Sequence, residues 1–256
     1  MEEWASIEDG PGDAKSQREF SPENEPSATA FSWIAADTWG SSHQLFSHDP
    51  CENGPLSDAA VVSGAIAIAS AVALGSMSVR FSGAAPTGFD TRIQRRVLDR
   101  AVGRNHTIGL IMSGPGYPGF YFPATALLIA LLRHRGARGT VPLIIASVGG
   151  WAIHRFIKLF AHRRRPVSMT GRSNELEAFP SGHTSATTAI AMTTAFLLAR
   201  QHLAPLPVAL VIATGIPLMI GAGRLLADEH WATDVIGGWI GGLGIAALAV
   251  MMFERG

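Results

Sequence analysis

The chain has 256 residues, 47% of them hydrophobic and only 16% charged, a composition that excludes an ordinary soluble domain and points to a membrane-embedded one. Formal charge sums to zero at pH 7, but 12 of the 20 acidic residues lie in positions 1–58 against Lys15 and Arg18 alone, so an acidic tail precedes a basic body. The single cysteine, Cys51, excludes an intrachain disulfide and leaves a cysteine metal site without ligands.

Residues 1–57 are rich in Ser, Pro, Glu and Asp and lack apolar periodicity. They cannot bury enough apolar surface to offset their ordering entropy and read as a disordered cytoplasmic tail. No basic patch, apolar core and small-residue cleavage site precede residue 58, so no cleaved signal is expected. Residues 58–256 read as one membrane domain. A helix needs about 20 apolar residues to cross the bilayer, and candidate spans fall at 58–79, 117–133, 139–158, 181–200, 205–224 and 231–253. The expected fold is therefore an all-α polytopic bundle of about six transmembrane helices. Between the first two spans, "FDTRIQRRVLDRAV" puts apolar residues on one helical face and arginines on the other, as in a helix lying in the interface. "SGPGYPGFYFP" interrupts a helix that begins near His106. Glycine pairs in "IGGWIGGLG" suit close helix packing in the last span.

Polar groups gather at four span ends. "KLFAHRRRP" puts Lys158 and Arg165 at the exit of the third span, "PSGH" opens the fourth, Arg224 closes the fifth and "HWATD" opens the sixth. Exits of odd spans and entrances of even ones share one side of the membrane. Lys158 and Arg165 are seven apart, about two helical turns, so they can approach one anion from a common face. Pro180 fits a first helical turn, Ser181 and Gly182 can offer backbone N–H groups to an anion there, and Gly182 lets it approach closely. Arg163 and Arg164 read as side chains reaching for headgroups. His183 stands beside the anion position. His230 and Asp234 are one turn apart, so the carboxylate can take one imidazole N–H and leave the other nitrogen free to attack.

The three clusters resemble the signature of the type 2 phosphatidic acid phosphatase and vanadium haloperoxidase superfamily, Lys-x6-Arg-Pro, Pro-Ser-Gly-His and Ser-Arg-x5-His-x3-Asp. Here they read Lys158 to Pro166, Pro180 to His183, and Gly223-Arg224 to Asp234, with Gly223 where the family often has serine. The resemblance implies that Lys158, Arg165, Ser181, Gly182 and Arg224 bind phosphate, that His230 forms a phosphohistidine oriented by Asp234, and that His183 protonates the leaving group. It implies no metal and no cofactor for hydrolysis. The expected activity is that of an integral membrane phosphatase acting on a lipid phosphate or diphosphate, of phosphatidate or polyprenyl type, with no nucleic-acid partner. A vanadate-dependent haloperoxidase, a phosphotransferase and a non-catalytic lipid-binding protein are the alternatives. "RHRGAR" and Arg200 mark the cytoplasmic side by their charge, although six arginines between Arg80 and Arg104 lie on the pocket side. With the resemblance, this places the pocket on the extracytoplasmic side of a plasma (inner) membrane.

Overall fold

A computed structural model describes residues 57–98, 102–166 and 177–255. The acidic tail, expected to be disordered, lies outside the described residues. Among those residues there are eight α-helices, one short 3-10 turn and no strand. The helices are α1 (Asp58–Phe81), α2 (Gly88–Leu98), α3 (Val102–Ser113), α4 (Pro118–His134), α5 (Thr140–Ala161), α6 (Gly182–Arg200), α7 (Leu206–Leu226) and α8 (Ala232–Arg255).

Four of them, α1, α5, α7 and α8, are individually long and apolar enough to cross a membrane. A bent pair around the 3-10 turn Gly114–Gly116, where the segments Asn105–Gly116 and Pro118–His134 meet at 41°, has the length and composition of a fifth crossing or of a re-entrant loop. Pro115 and Pro118 have no backbone N–H to give, so the helix breaks where the sequence leads one to expect it. Helix α6 occupies the remaining expected span but falls short on hydropathy, because Thr184, Ser185, Thr187, Thr188, Thr193 and Thr194 turn inward and are buried. Its hydroxyls are partly absorbed by its own turns: Thr187 donates to the His183 carbonyl at 2.7 Å and Ser185 to that of Ser181 at 3.0 Å. Outward, Val72 and Val79 on α1 and Leu210 and Val211 on α7 are exposed, as lipid-facing residues must be. The protein is an integral membrane protein.

Helix α8 is the centre of the bundle and packs against α1, α5 and α6. Its glycines set the distance to α6: a Cβ on Gly238 would stand 2.8 Å from the Ser181 carbonyl, and one on Gly242 would stand 2.5 Å from the Thr188 Cβ. No larger residue fits there, and the small-residue face permits backbone contact. The interfacial helix α2 starts with a reciprocal cap. The Thr87 amide and hydroxyl both donate to Asp90 Oδ2 at 2.9 Å, and the Asp90 amide donates back to the Thr87 hydroxyl at 3.1 Å. This cap also fixes Asp90, which is buried beneath the end of α8 that carries the site.

Candidate active site

The ends of α5 and α7 and the starts of α6 and α8 meet at one end of the bundle. The Ser181 amide donates to the Asp234 carbonyl at 3.0 Å, joining the starts of α6 and α8. The Ala178 amide donates to the Arg163 carbonyl at 2.9 Å, joining the approach to α6 with the exit of α5. The Trp231 indole donates to the Arg164 carbonyl at 2.9 Å, adding the loop between α7 and α8.

Lys158 lies in the last turn of α5 with its side chain mostly buried, 3.9 Å from Glu177 Oε2. Helix α5 stops at Ala161, and His162 takes a left-handed conformation at φ 38° that turns the chain away from the axis. Arg165 is therefore not on the helical face of Lys158, as the seven-residue spacing suggests, but on the extended segment beyond. It meets Glu229 at 3.3 Å. Arg224, in the last turn of α7 and almost wholly buried, donates to the same Glu229 oxygen.

Beyond the turn at His162, Arg163 points inward and is fully buried. Its guanidinium donates to Asp234 Oδ1 at 2.6 Å, to Asp90 Oδ2 at 2.8 Å and to the Thr233 hydroxyl at 2.7 Å, while its planar head lies 4.7 Å from the Phe81 ring centroid. The expectation that it reaches for headgroups is wrong: two carboxylates and an aromatic face hold it inside. Arg164, one residue on, is exposed. Asp90 completes the network by accepting from the Thr233 amide at 2.9 Å. Burial raises its carboxyl, but the Thr233 and Thr87 amides and the Arg163 guanidinium outweigh that and hold it below the usual carboxylate range.

His230 sits in the loop between α7 and α8. Its Nδ1 lies 2.9 Å from the Ala178 carbonyl oxygen. A carbonyl can only accept, so Nδ1 carries the proton and Nε2 keeps its lone pair. Asp234 stands 3.7 Å from that nitrogen, too far for a hydrogen bond, and its oxygens are engaged by Arg163 and by the Trp231 amide at 2.8 Å. The expected direct orienter is thus a main-chain carbonyl, and Asp234 instead caps the start of α8 next to the imidazole. Burial, followed by the charges of Arg224, Arg165 and Lys158, holds His230 well below the usual histidine range. The three cations thus act together on one neutral imidazole.

Ser181 caps α6, and Pro180, expected inside the first turn, precedes the cap. The Ser181 amide is spent on Asp234, so its offering to an anion is the hydroxyl, which is buried with no partner among the described residues. Gly182 begins the helix, where first-turn N–H groups have no intrahelical acceptor. A Cβ there would stand 2.6 Å from the His154 ring, so the glycine makes room for this α5 imidazole rather than for an anion. His183 presents its ring to the edge of Tyr117, centroids 4.3 Å apart, and its Nε2 is buried without a partner among the described residues.

Gly223 stands where the resembled signature often has serine, and the structure leaves no room for a side chain there. A Cβ at that position would lie 2.8 Å from the Ser113 amide and 2.9 Å from the Gly109 carbonyl, because α3 crosses α7 backbone to backbone. The hydroxyl comes from α3 instead: Ser113 Oγ lies 3.4 Å from Arg224 Nη1.

Residues 139–256 match the family model of the PAP2 superfamily. Over this segment the chain is similar to the PAP2 superfamily. All the motif residues lie within the matched segment, whereas Asp90 and Ser113 lie outside it. Among solved structures, the transmembrane PAP2-type phosphatidylglycerolphosphate phosphatase of Bacillus subtilis is similar at 20% identity, with a TM-score of 0.60, over 72% of this chain and 96% of that one. This likeness shows a shared fold. Aquifex aeolicus LpxE aligns at 24% identity over 63% of this chain and 96% of its own, with a TM-score of 0.48. No curated protein matches the chain.

Sequence reasoning missed Arg163, Asp90, Ala178, Ser113, Glu229 and His154 at this site. Thr87 and Asp90 do show the spacing of a helix cap, but that signal announces a helix start and says nothing of Arg163, 73 residues away.

Proposed function

We propose that this protein is a PAP2-type integral membrane phosphatase that hydrolyses a lipid phosphate or diphosphate through a phosphohistidine on His230. The observation that carries the reading is the tautomer of His230: Nδ1 is tied to the Ala178 carbonyl, so Nε2 is a neutral nucleophile in a nest of three cations. In this scheme Lys158, Arg165, Arg224, the Ser181 hydroxyl and the Gly182 amide hold the phosphoryl oxygens, and their charge stabilises the developing transition state. His230 Nε2 attacks phosphorus as the bond to the lipid oxygen breaks, and His183 Nε2 delivers the proton that oxygen needs. Water then attacks the phosphohistidine, its proton passes to His183, and the phosphorus–nitrogen bond breaks to free inorganic phosphate.

The membrane body favours an amphiphilic substrate, of phosphatidate or polyprenyl diphosphate type, whose headgroup meets the pocket at the interface. Arg138 and Arg200 lie at the opposite end of the bundle, tied to Gln201 and Glu254. Their charge supports the reading in which that end is cytoplasmic and the pocket lies outside. Phosphate release by the purified protein across phosphatidate, phosphatidylglycerophosphate and prenyl diphosphates, with and without excess EDTA, tests the proposal. Hydrolysis of at least one, undiminished by EDTA, is expected. Hydrolysis of none, or activity that returns only with added magnesium, refutes it.

A further inference from the structure

Glu229 bridges two of the cations assigned to phosphate. Its Oε2 accepts from Arg224 at the end of α7 and lies 3.3 Å from Arg165 Nη1 beyond α5. One carboxylate oxygen between two guanidinium groups, one at the end of α7 and one on the segment beyond α5, is the arrangement that a phosphoryl oxygen would have in the same place. The glutamate side chain is 14% exposed while that of Arg224 is 1% exposed, so the carboxylate sits at the rim of the site and the arginine at its floor. The flexible arm of Glu229 has somewhere to go, whereas the arginine has not. Glu229 also immediately precedes His230, so it swings from the same loop that carries the nucleophile.

We propose that Glu229 is an internal competitor for the phosphoryl site, a specificity-determining residue that neutralises Arg165 and Arg224 in the resting enzyme and is displaced by the substrate's phosphoryl group. The inference rests on the phosphatase reading. A buried arginine beside a half-buried one requires a counter-ion, and the carboxylate keeps both guanidiniums in binding geometry between turnovers. It must give up its hydrogen bonds when a phosphoryl group enters, which weakens the hold on every phosphoryl ligand. It takes them back when inorganic phosphate leaves, which speeds release of the product. A monoester dianion has the charge to displace it, and a diester monoanion has less.

The test uses the full-length protein in detergent, with inorganic phosphate as the probe. Its dissociation constant is measured by calorimetry, and its inhibition constant in lipid phosphate hydrolysis, for the wild type, E229Q and E229D. E229Q is expected to bind phosphate about tenfold tighter or more, a change typical of removing a close charge partner. Its kcat and KM should fall together as product release slows. E229D keeps the charge on a shorter arm that cannot reach both arginines, and is expected to fall between the two. It supplies the reading if E229Q does not fold. Phosphate affinity in the variants equal to or weaker than wild type, with lipid hydrolysis intact in the wild type, overturns this proposal alone. A wild type that neither hydrolyses any lipid phosphate nor binds phosphate overturns the functional reading as well.

Discussion

Arg163 donates to the Asp234 carboxylate at 2.6 Å, so the acid one helical turn from the candidate nucleophile His230 is held by a guanidinium from just beyond α5. The same guanidinium reaches Asp90 on the interfacial helix. One buried cation thus joins α2, the exit of α5 and the start of α8.

Removing that cation should be costly. Arg163→Met preserves much of the side-chain volume but leaves Asp90 and Asp234 buried and unneutralised, a loss of about 3–5 kcal/mol when a buried pair loses one partner. Thermal unfolding in detergent should show a large drop in midpoint for R163M. The double variant D90N/R163M, which removes one of the stranded charges, should recover part of it. An R163M protein as stable as the wild type would disprove the network.

At Gly223, a comparison of motifs alone suggests that serine would improve the enzyme. The packing of α3 against α7 demands the opposite, because the added atoms would meet the Ser113 amide and the Gly109 carbonyl. Gly223→Ser should lower stability by about 1–3 kcal/mol, as overpacking does, and should lower activity by displacing Ser113 from Arg224. Unfolding midpoints and turnover, measured on the same preparation, decide between the two outcomes.

The contrast between Arg163 and Gly223 marks what the sequence conveys. Lys158, Arg165, Arg224, His183 and His230 were legible because a charge at the end of an apolar span is conspicuous, and helix parity puts those ends on one side. Arg163 was not, because three consecutive arginines look alike until the turn at His162 sends the first inward. Asp90 and Ser113 were hidden for a different reason: each meets its partner across more than 70 residues, and no local spacing encodes such a contact. Helix α6 was expected as an ordinary span, yet its inward threonines make it an interior helix beside α8. The count of about six spans therefore compares with four straight ones and a bent fifth by hydropathy.

His230 should remain neutral in mildly acidic solution. Free histidine titrates near pH 6.5, but burial and the three neighbouring cations lower it here. The folded state thus resists a proton that the unfolded state accepts, and the stability this histidine confers is full above about pH 6.5 and falls as pH drops below it. Nitrogen NMR of histidine-labelled protein in detergent should show the His230 Nδ1–H tautomer still in place at about pH 6. An imidazolium signal for His230 at that pH would contradict this electrostatic account.

The two histidines should separate by leaving group. His183→Ala should lose about 10² to 10⁴ in rate on a lipid monophosphate, the usual contribution of a general acid, and much less on an activated aryl phosphate whose departing oxygen needs no proton. His230→Ala should be inactive on both. Equal losses for the two variants on both substrates, with folding intact, would show that the division of roles is wrong.

The central claim is a covalent bond between phosphorus and His230 Nε2, and trapping that bond tests it most directly. Purified protein is mixed with phosphatidate radiolabelled at phosphorus, or with whichever lipid phosphate it hydrolyses best, and quenched within the first turnover. The account predicts labelled protein that is stable in alkali and labile in acid, with the label on the peptide containing His230 and none in His230→Ala. Rapid phosphate release with no labelled wild-type protein at any quench time, or label that persists in His230→Ala, would contradict it.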